Sequence, residues 1–220
     1  MKVGGIVLCG GKSARMGRPK AALPFGNELL LPRVVRAVRE STDFVVVVAA
    51  PDQEVPPLPD GVPVVRDEVE GRGPLGGLVA GLTALDGACD AVYLSACDAP
   101  FLTPAFVRRV IAGLGDPSSL QEEGWWVSVW AAVPQIGGRL HPLAAAYRAR
   151  VLPVARAMLA ANRLRMTDLF TLVPPRALSA SELRDADPEL RSLRNLNTPE
   201  EYAAALRELG VIECPFAPDP

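Results

Sequence analysis

The chain has 220 residues, with 23 Lys+Arg against 25 Asp+Glu, a formal charge of −2, and 49% hydrophobic and 22% charged residues. This length fits one large domain or two small ones and buries a full core without disulfide or metal staples, and the near-average composition excludes a disordered chain. Near-neutral charge gives no electrostatic footprint for sequence-independent binding to nucleic acid or to an anionic membrane surface, so neither partner is expected.

Val3–Leu8 reads as a short buried strand, and the stretch it opens is too short and too glycine-broken for a secretory signal. A glycine-rich, basic loop follows to about Pro24. Leu31–Val38 has apolar residues at helical spacing, with Pro32 suited to a first turn. Phe44–Ala49 is a β-branched run typical of a parallel strand buried on both faces, far below the ~20 residues of a membrane span. Pro51–Pro63 holds five prolines (51, 56, 57, 59 and 63) and reads as a surface loop. Val62–Val65 is a short strand ending in Arg66-Asp67, and Gly76–Leu85 a helix whose glycines suit close packing on a strand. Ala91–Ala96 is a strand, and Pro104–Leu114 a helix with Thr103 as N-cap. Strands follow at Trp125–Val133 and Arg139–Tyr147, on either side of a Gly137-Gly138 turn, then helices at Arg150–Asn162 and Pro199–Leu209. The alternation in the first half predicts βαβ units and a parallel sheet. A single domain is expected over 1–213, with a loose tail at 214–220.

Cys9, Cys89, Cys97 and Cys214 show no CxxC pair and no zinc-like spacing, so free thiols in the cytoplasm are expected. His141 is the only histidine, which excludes a histidine-rich metal site. In parallel sheets the ligand sits at the carboxyl ends of the strands, and three polar loops lie there. Gly10 to Lys20 combines glycines, which let backbone N–H groups approach phosphate oxygens, with Lys12, Arg15, Arg18 and Lys20 to neutralise them. It is not a Walker A loop, since Ile6 stands where that motif needs glycine, and no register of Gly10, Gly11 and Gly17 makes the dinucleotide fingerprint. Arg66–Leu75 offers Asp67 to a ribose hydroxyl, a base edge or a metal-bound water, or leaves it as a plain turn residue. Glycines 71, 73, 76 and 77 imply backbone close to either ligand or strand. Asp98 follows an apolar strand directly and is placed to hold Mg²⁺ against phosphates, or stands as a helix N-cap, a role that Thr103 fills better; Cys97 beside it reads as a small buried hydrophobe.

Taken together, Leu8-Cys9-Gly10-Gly11-Lys12-Ser13-Ala14-Arg15-Met16-Gly17 through Lys20 resembles the opening signature of nucleotidyltransferases acting on sugar phosphates and cofactors. Cys97-Asp98-Ala99-Pro100-Phe101, Gly73-Pro74-Leu75, His141-Pro142-Leu143 and Asn195-Leu196-Asn197-Thr198-Pro199-Glu200-Glu201 resemble the molybdenum-cofactor guanylyltransferases within that group. The likeness spans roughly residues 3 to 206. It implies an α/β, three-layer, Rossmann-like and mostly parallel sheet of the nucleotide-diphospho-sugar transferase type, with a nucleotide-binding half at about 1–115 and an acceptor half at about 116–213. It further implies GTP as donor, the molybdenum cofactor (molybdopterin) as acceptor, Mg²⁺ as cofactor, and transient contact with other cofactor-biosynthesis proteins or acceptor molybdoenzymes. By the same likeness Leu8, Cys9, Gly10 and Gly11 hold the nucleotide, Arg15 and Lys20 neutralise its phosphates, Asp67 contacts the nucleoside and Asp98 ligates the metal. His141, Arg148, Asn195 and Asn197 are the implied acceptor-side residues, with either Asn195 or Asn197 completing the metal or the substrate site. Cytidylyl transfer to the same cofactor, transfer to another phosphate acceptor, and a non-catalytic nucleotide-binding adaptor are the alternative readings. The presence of both Lys20 and Asp98 argues against the adaptor.

Overall fold

The apolar run VGGIVL becomes the first strand, β1 (Val3–Leu8), buried along its whole length. The computed structural model describes residues 1–10, 16–67, 69, 71–115, 129–173 and 175–210. After β1 come a short hairpin, β2 (Pro24–Phe25) and β3 (Glu28–Leu29), then α1 (Leu30–Arg39), β4 (Phe44–Ala49) and β5 (Val64–Arg66). α2 (Gly73–Ala84), β6 (Ala91–Ala96) and α3 (Pro104–Ala112) complete the first half. The second half contains β7 (Ala131–Ile136), β8 (Arg139–Leu140), β9 (Ala144–Arg148), α4 (Leu152–Ala160), α5 (Met166–Leu169), β10 (Arg176–Leu178), α6 (Ala180–Leu183) and α7 (Pro199–Glu208).

The sheet runs β10-β7-β9-β6-β1-β4-β5, with β8 paired to β7. β5, β4, β1 and β6 are parallel. β9 is antiparallel to both β6 and β7, and β10 is parallel to β7. The chain moves outward from β1 to β4 and β5, then returns to β6 on the other side of β1. This reversal of strand order opens a crevice at the carboxyl ends of β1 and β6.

Alternation along the strands feeds two cores. Val7, Val47 and Tyr93 face α1 and α3, while Ile6, Val48 and Leu94 face α2 and α4, which makes the three layers. A third cluster joins Phe25, Leu30 and Phe101 to Leu196 and Tyr202 of the C-terminal region, with the Phe25 and Phe101 rings edge-on at 5.6 Å. Among the described residues no helix is long and apolar enough to cross a membrane.

β1, β4 and β6 occupy the spans read from the sequence, and Thr103 caps α3 by accepting from the Phe106 N–H at 3.2 Å. The expected strand Arg139–Tyr147 is instead two, β8 and β9. His141 donates its backbone N–H to the Pro134 carbonyl, Pro142 has no N–H to give a ladder, and the Tyr147 hydroxyl pins the Pro142 carbonyl at 2.8 Å. Gly137 and Gly138, at φ +57° and +80°, form the tight turn before β8. β7 begins at Ala131 rather than Trp125; residues 125–128 lie outside the described residues, as does the tail 214–220. The short elements β10, α5 and α6 have three or four residues each, too few for a hydrophobic period to register.

The glycines of β1 and α2 serve backbone packing. A Cβ on Gly77 would stand 2.7 Å from Leu8 Cδ2, and one on Gly81 2.7 Å from Ile6 Cδ1, so α2 lies directly on β1. On the strand itself, a Cβ on Gly5 would meet Val38 Cγ1 of α1 at 2.3 Å. Val38 is β-branched and cannot swing aside cheaply. Gly5→Val is therefore expected to cost about 1–3 kcal/mol by overpacking, read as a fall of several degrees in the thermal midpoint; an unchanged midpoint would contradict this close approach.

Candidate active site

Three strand ends are brought level by ladder bonds that continue one residue past each strand. Cys9 N–H donates to the Val48 carbonyl, Cys97 N–H to Leu8, and Asp67 N–H to Ala49, each at 2.9 Å. The residues that follow these ends border a cleft of about 1180 Å³. Leu8, Cys9, Gly10, Lys20, Asp67, Asp98, Asn195 and Asn197, all singled out from the sequence, line it. Gly11 and Arg15 lie outside the described residues.

At its centre Lys20 and Asp98 meet across 78 residues of sequence. Lys20 opens a 3-10 turn, Lys20–Ala22, whose Ala21 is buried, so the backbone is anchored while the ammonium reaches the cleft. Its Nζ lies 2.7 Å from Asp98 Oδ2 and donates to Asn197 Oδ1 at 3.1 Å. Asn197 is held there by the start of α7. Leu196 N–H donates to the Asp98 carbonyl at 2.9 Å, and the Glu201 carboxylate accepts from Asn197 N–H at 2.6 Å. Thr198 caps the helix by accepting from Glu201 N–H at 3.2 Å, with Pro199 at the first position. The Asn-Thr-Pro-Glu-Glu run is thus a helix start that delivers one amide to the site.

The other oxygen of Asp98, Oδ1, is buried and has no hydrogen-bond partner among the described residues. A buried acceptor left unpaired is costly, and a carboxylate oxygen in that state suits a hard divalent cation. Among the described residues no group of three or more His, Cys, Asp or Glu side chains is gathered to cage a metal. A single carboxylate fits Mg²⁺, which keeps several waters and is commonly completed by substrate phosphates.

Asp67 is wedged between β5 and the first turn of α2. Its Oδ1 accepts from Val69 N–H at 3.4 Å, and its Oδ2 would lie 2.6 Å from a Cβ on Gly76. Gly76 is therefore the glycine that makes room for Asp67, whereas Gly77 and Gly81 make room for β1. Cys9 and Cys97 line the cleft as protonated thiols: burial pushes Cys9 up to about 11 against the opposing pull of Arg66, and burial also pushes Cys97 up. Neither is a thiolate nucleophile at neutral pH.

Gln53 is a cleft residue that the sequence reading absorbed into a proline-rich loop. Its Nε2 donates to the Cys9 carbonyl at 2.7 Å and its Oε1 accepts from Ala50 N–H at 3.4 Å, while Arg66 fixes the same loop through the Ala50 and Gln53 carbonyls. A lone amide side chain between prolines was the only signal available.

The acceptor-side residues divide. His141 does not line the cleft but stands two residues before Leu143, which does. Burial, then Arg139, holds its imidazole below the ordinary histidine range, so at neutral pH it offers one N–H and no charge. Arg148 is corrected: it does not reach the site. β9 runs antiparallel to β6, so Ala144 pairs with Ser95 near the cleft while Arg148 pairs with Ala91 at the far end, about 13 Å away at ~3.3 Å per residue. Its buried guanidinium donates to the carbonyls of Val129, Leu114 and Gly115, each at 3.0 Å.

Known proteins resemble this chain in sequence and in fold. The model of the family described as MobA-like NTP transferase domain matches residues 5–170. A probable molybdenum cofactor guanylyltransferase of Pelotomaculum thermopropionicum is 36% identical, over 91% of this chain and 90% of its own. A molybdenum cofactor guanylyltransferase of Desulfosudis oleivorans is 31% identical, over 92% and 94%. Among solved structures, the molybdopterin-guanine dinucleotide biosynthesis protein A of Archaeoglobus fulgidus superposes with a TM-score of 0.72 at 19% identity, covering 94% of this chain and 98% of its own, a likeness of fold.

Arg148→Met would take the guanidinium from the Leu114 and Gly115 carbonyls and leave Val129 to Arg150 at 3.4 Å, and is expected to cost about 1–3 kcal/mol of stability. The further stabilisation given by added nucleotide should stay as in the wild type. Paired thermal melts check both, and an unchanged midpoint in Arg148→Met would contradict its place as a buried clamp at the far end of β9.

Proposed function

The chain belongs to the MobA-like NTP transferase family, and from that premise we propose that it is a nucleotidyltransferase moving GMP from GTP to the terminal phosphate of molybdopterin. The products are molybdopterin guanine dinucleotide and pyrophosphate. The observation that carries the reading is the Lys20–Asp98 pair, with its unpaired carboxylate oxygen, at the strand-order reversal. The names of the guanylyltransferase relatives support GTP as donor.

In this reading the backbone of Leu8, Cys9 and Gly10 borders the nucleotide, Asp67 contacts the nucleoside and Lys20 faces the phosphates; Gly11 and Arg15, outside the described residues, take the nucleotide-backbone and phosphate roles on the family resemblance alone. Asp98 holds Mg²⁺. When bound, that ion supplies charge neutralisation on the phosphates as negative charge redistributes during transfer. A terminal phosphate oxygen of the acceptor attacks the α-phosphorus in line. One P–O bond forms there, the bond to the β-phosphate oxygen breaks, and pyrophosphate carries away the electron pair. An already ionised nucleophile needs no general base, which suits a cleft whose nearest histidine is neutral and whose thiols are protonated. The protein's work is positioning and electrostatic stabilisation. The acceptor occupies the side bordered by Leu143 and Asn195, where β9 begins, with His141 near it as a neutral donor. Asn197 serves the donor side through Lys20.

The test is pyrophosphate release and dinucleotide formation from GTP, molybdopterin and Mg²⁺. Asp98→Ala is expected to lower turnover by about 10²–10³-fold or more with the fold intact, and Lys20→Ala to weaken GTP binding. Near-normal turnover in Asp98→Ala would remove the carboxylate from the mechanism, and turnover with CTP but not GTP would replace the donor.

A further inference from the structure

Lys20 and Asp98 carry opposite assignments in the proposed reaction, one toward phosphate and the other toward a divalent cation, yet they are bonded to each other. The side chains are only 16% and 12% exposed, so the pair is shielded from the solvent that makes surface ion pairs weak. Asn197 Oδ1 holds the ammonium from another side at 3.1 Å. Asp98 is therefore half engaged, with Oδ2 neutralised by Lys20 and Oδ1 buried without a partner among the described residues.

A divalent ion arriving alone meets this cation on either oxygen. At Oδ2 it must displace Nζ, leaving a largely buried ammonium without its carboxylate. At Oδ1 it sits across one carboxylate group from a fixed positive charge, where like charges a few ångströms apart repel strongly in a partly desolvated site. Both penalties vanish once Lys20 has another anion to pair with, and a nucleoside triphosphate brings one.

Resting on the phosphate and metal assignments above, we propose that Lys20 is the resident cation of the metal position and makes divalent-ion binding conditional on nucleotide. The ion and the triphosphate enter as a unit, and Lys20 passes from Asp98 to phosphate as they do. Linkage makes the coupling reciprocal, so the ion raises nucleotide affinity by the same factor. When pyrophosphate leaves, Lys20 returns to Asp98 and the ion's site closes behind it. Asn197 acts here as a positioning residue that keeps the ammonium docked between turnovers.

The experiment counts free Mn²⁺ by electron paramagnetic resonance in titrations of the full chain. Wild type, Lys20→Met, Lys20→Gln, Asn197→Ala and Asp98→Ala are compared, with and without a GTP analogue carrying a methylene bridge between the α- and β-phosphates. Thermal melts establish that each variant is folded. The wild type should bind Mn²⁺ weakly alone and at least tenfold more tightly with the analogue. Lys20→Met and Lys20→Gln should bind Mn²⁺ alone at least tenfold more tightly than the wild type, with a smaller enhancement by the analogue. Asn197→Ala should give a smaller rise in the same direction. Mn²⁺ affinity in the Lys20 variants equal to or below that of the wild type would overturn the resident-cation role. If Asp98→Ala still abolished analogue-dependent binding, the metal assignment would survive that result. Undiminished analogue-dependent binding in Asp98→Ala would remove the metal assignment itself, and the inference with it.

Discussion

Everything in this molecule is arranged around the close approach of two helices to β1. That strand lies in the middle of the sheet, with β4 on one side and β6 on the other, and the chain reverses its direction of travel across it. Such a strand must accept a helix on each face. Gly4 and Gly5 admit Leu85 and Val38, and Gly77 and Gly81 of α2 admit Leu8 and Ile6. Four ordinary side chains at these contacts would push the helices out and widen the crevice. With glycine in place, the ends of β1, β5 and β6 stay level, and the residues beyond them can share one ligand.

The site built on those ends is held by contacts of very long range. Lys20, Asp98 and Asn197 come from the loop after β1, the loop after β6 and the start of α7, and each is fixed by its own local device. A 3-10 turn anchors Lys20, the last ladder bond of β6 precedes Asp98, and a helix cap delivers Asn197. The third apolar cluster, with Phe101 packed against Phe25 and Leu196, ties these segments together beneath the polar groups. Arg191 and Arg194 over the Phe101 ring, both paired with Glu208, clamp α7 to the same place. Order in the charged centre thus derives from burial just below it.

Much of this was legible in the amino-acid order because the central strands are apolar on both faces and bounded by glycine, proline and charge. Phe44–Ala49 and Ala91–Ala96 could be read without context for that reason, and a polar residue such as Asp98 directly after such a run must emerge at the carboxyl edge. What could not be read depended on direction and distance. Arg148 belongs to a strand whose antiparallel course is set by its partner β6, so nothing near it in sequence says which end of the sheet it occupies. Gln53 gains its role from the Cys9 carbonyl, 44 residues away. The glycines of the second loop allowed either a ligand or a strand; only packing shows that Gly76 faces Asp67 while Gly77 and Gly81 face β1.

The proposed function requires the cleft at the strand reversal to take a guanine nucleotide with a divalent ion. The most direct measurement is a thermal-melt panel with Mg²⁺ and GTP, CTP, ATP or NAD in turn, each at saturating concentration. A ligand at ~100 times its dissociation constant adds about 2.7 kcal/mol if it binds only the folded chain. A clear rise in midpoint with GTP is expected, larger than with any of the other three. No shift with any nucleotide, or a larger shift with NAD than with GTP, would contradict it.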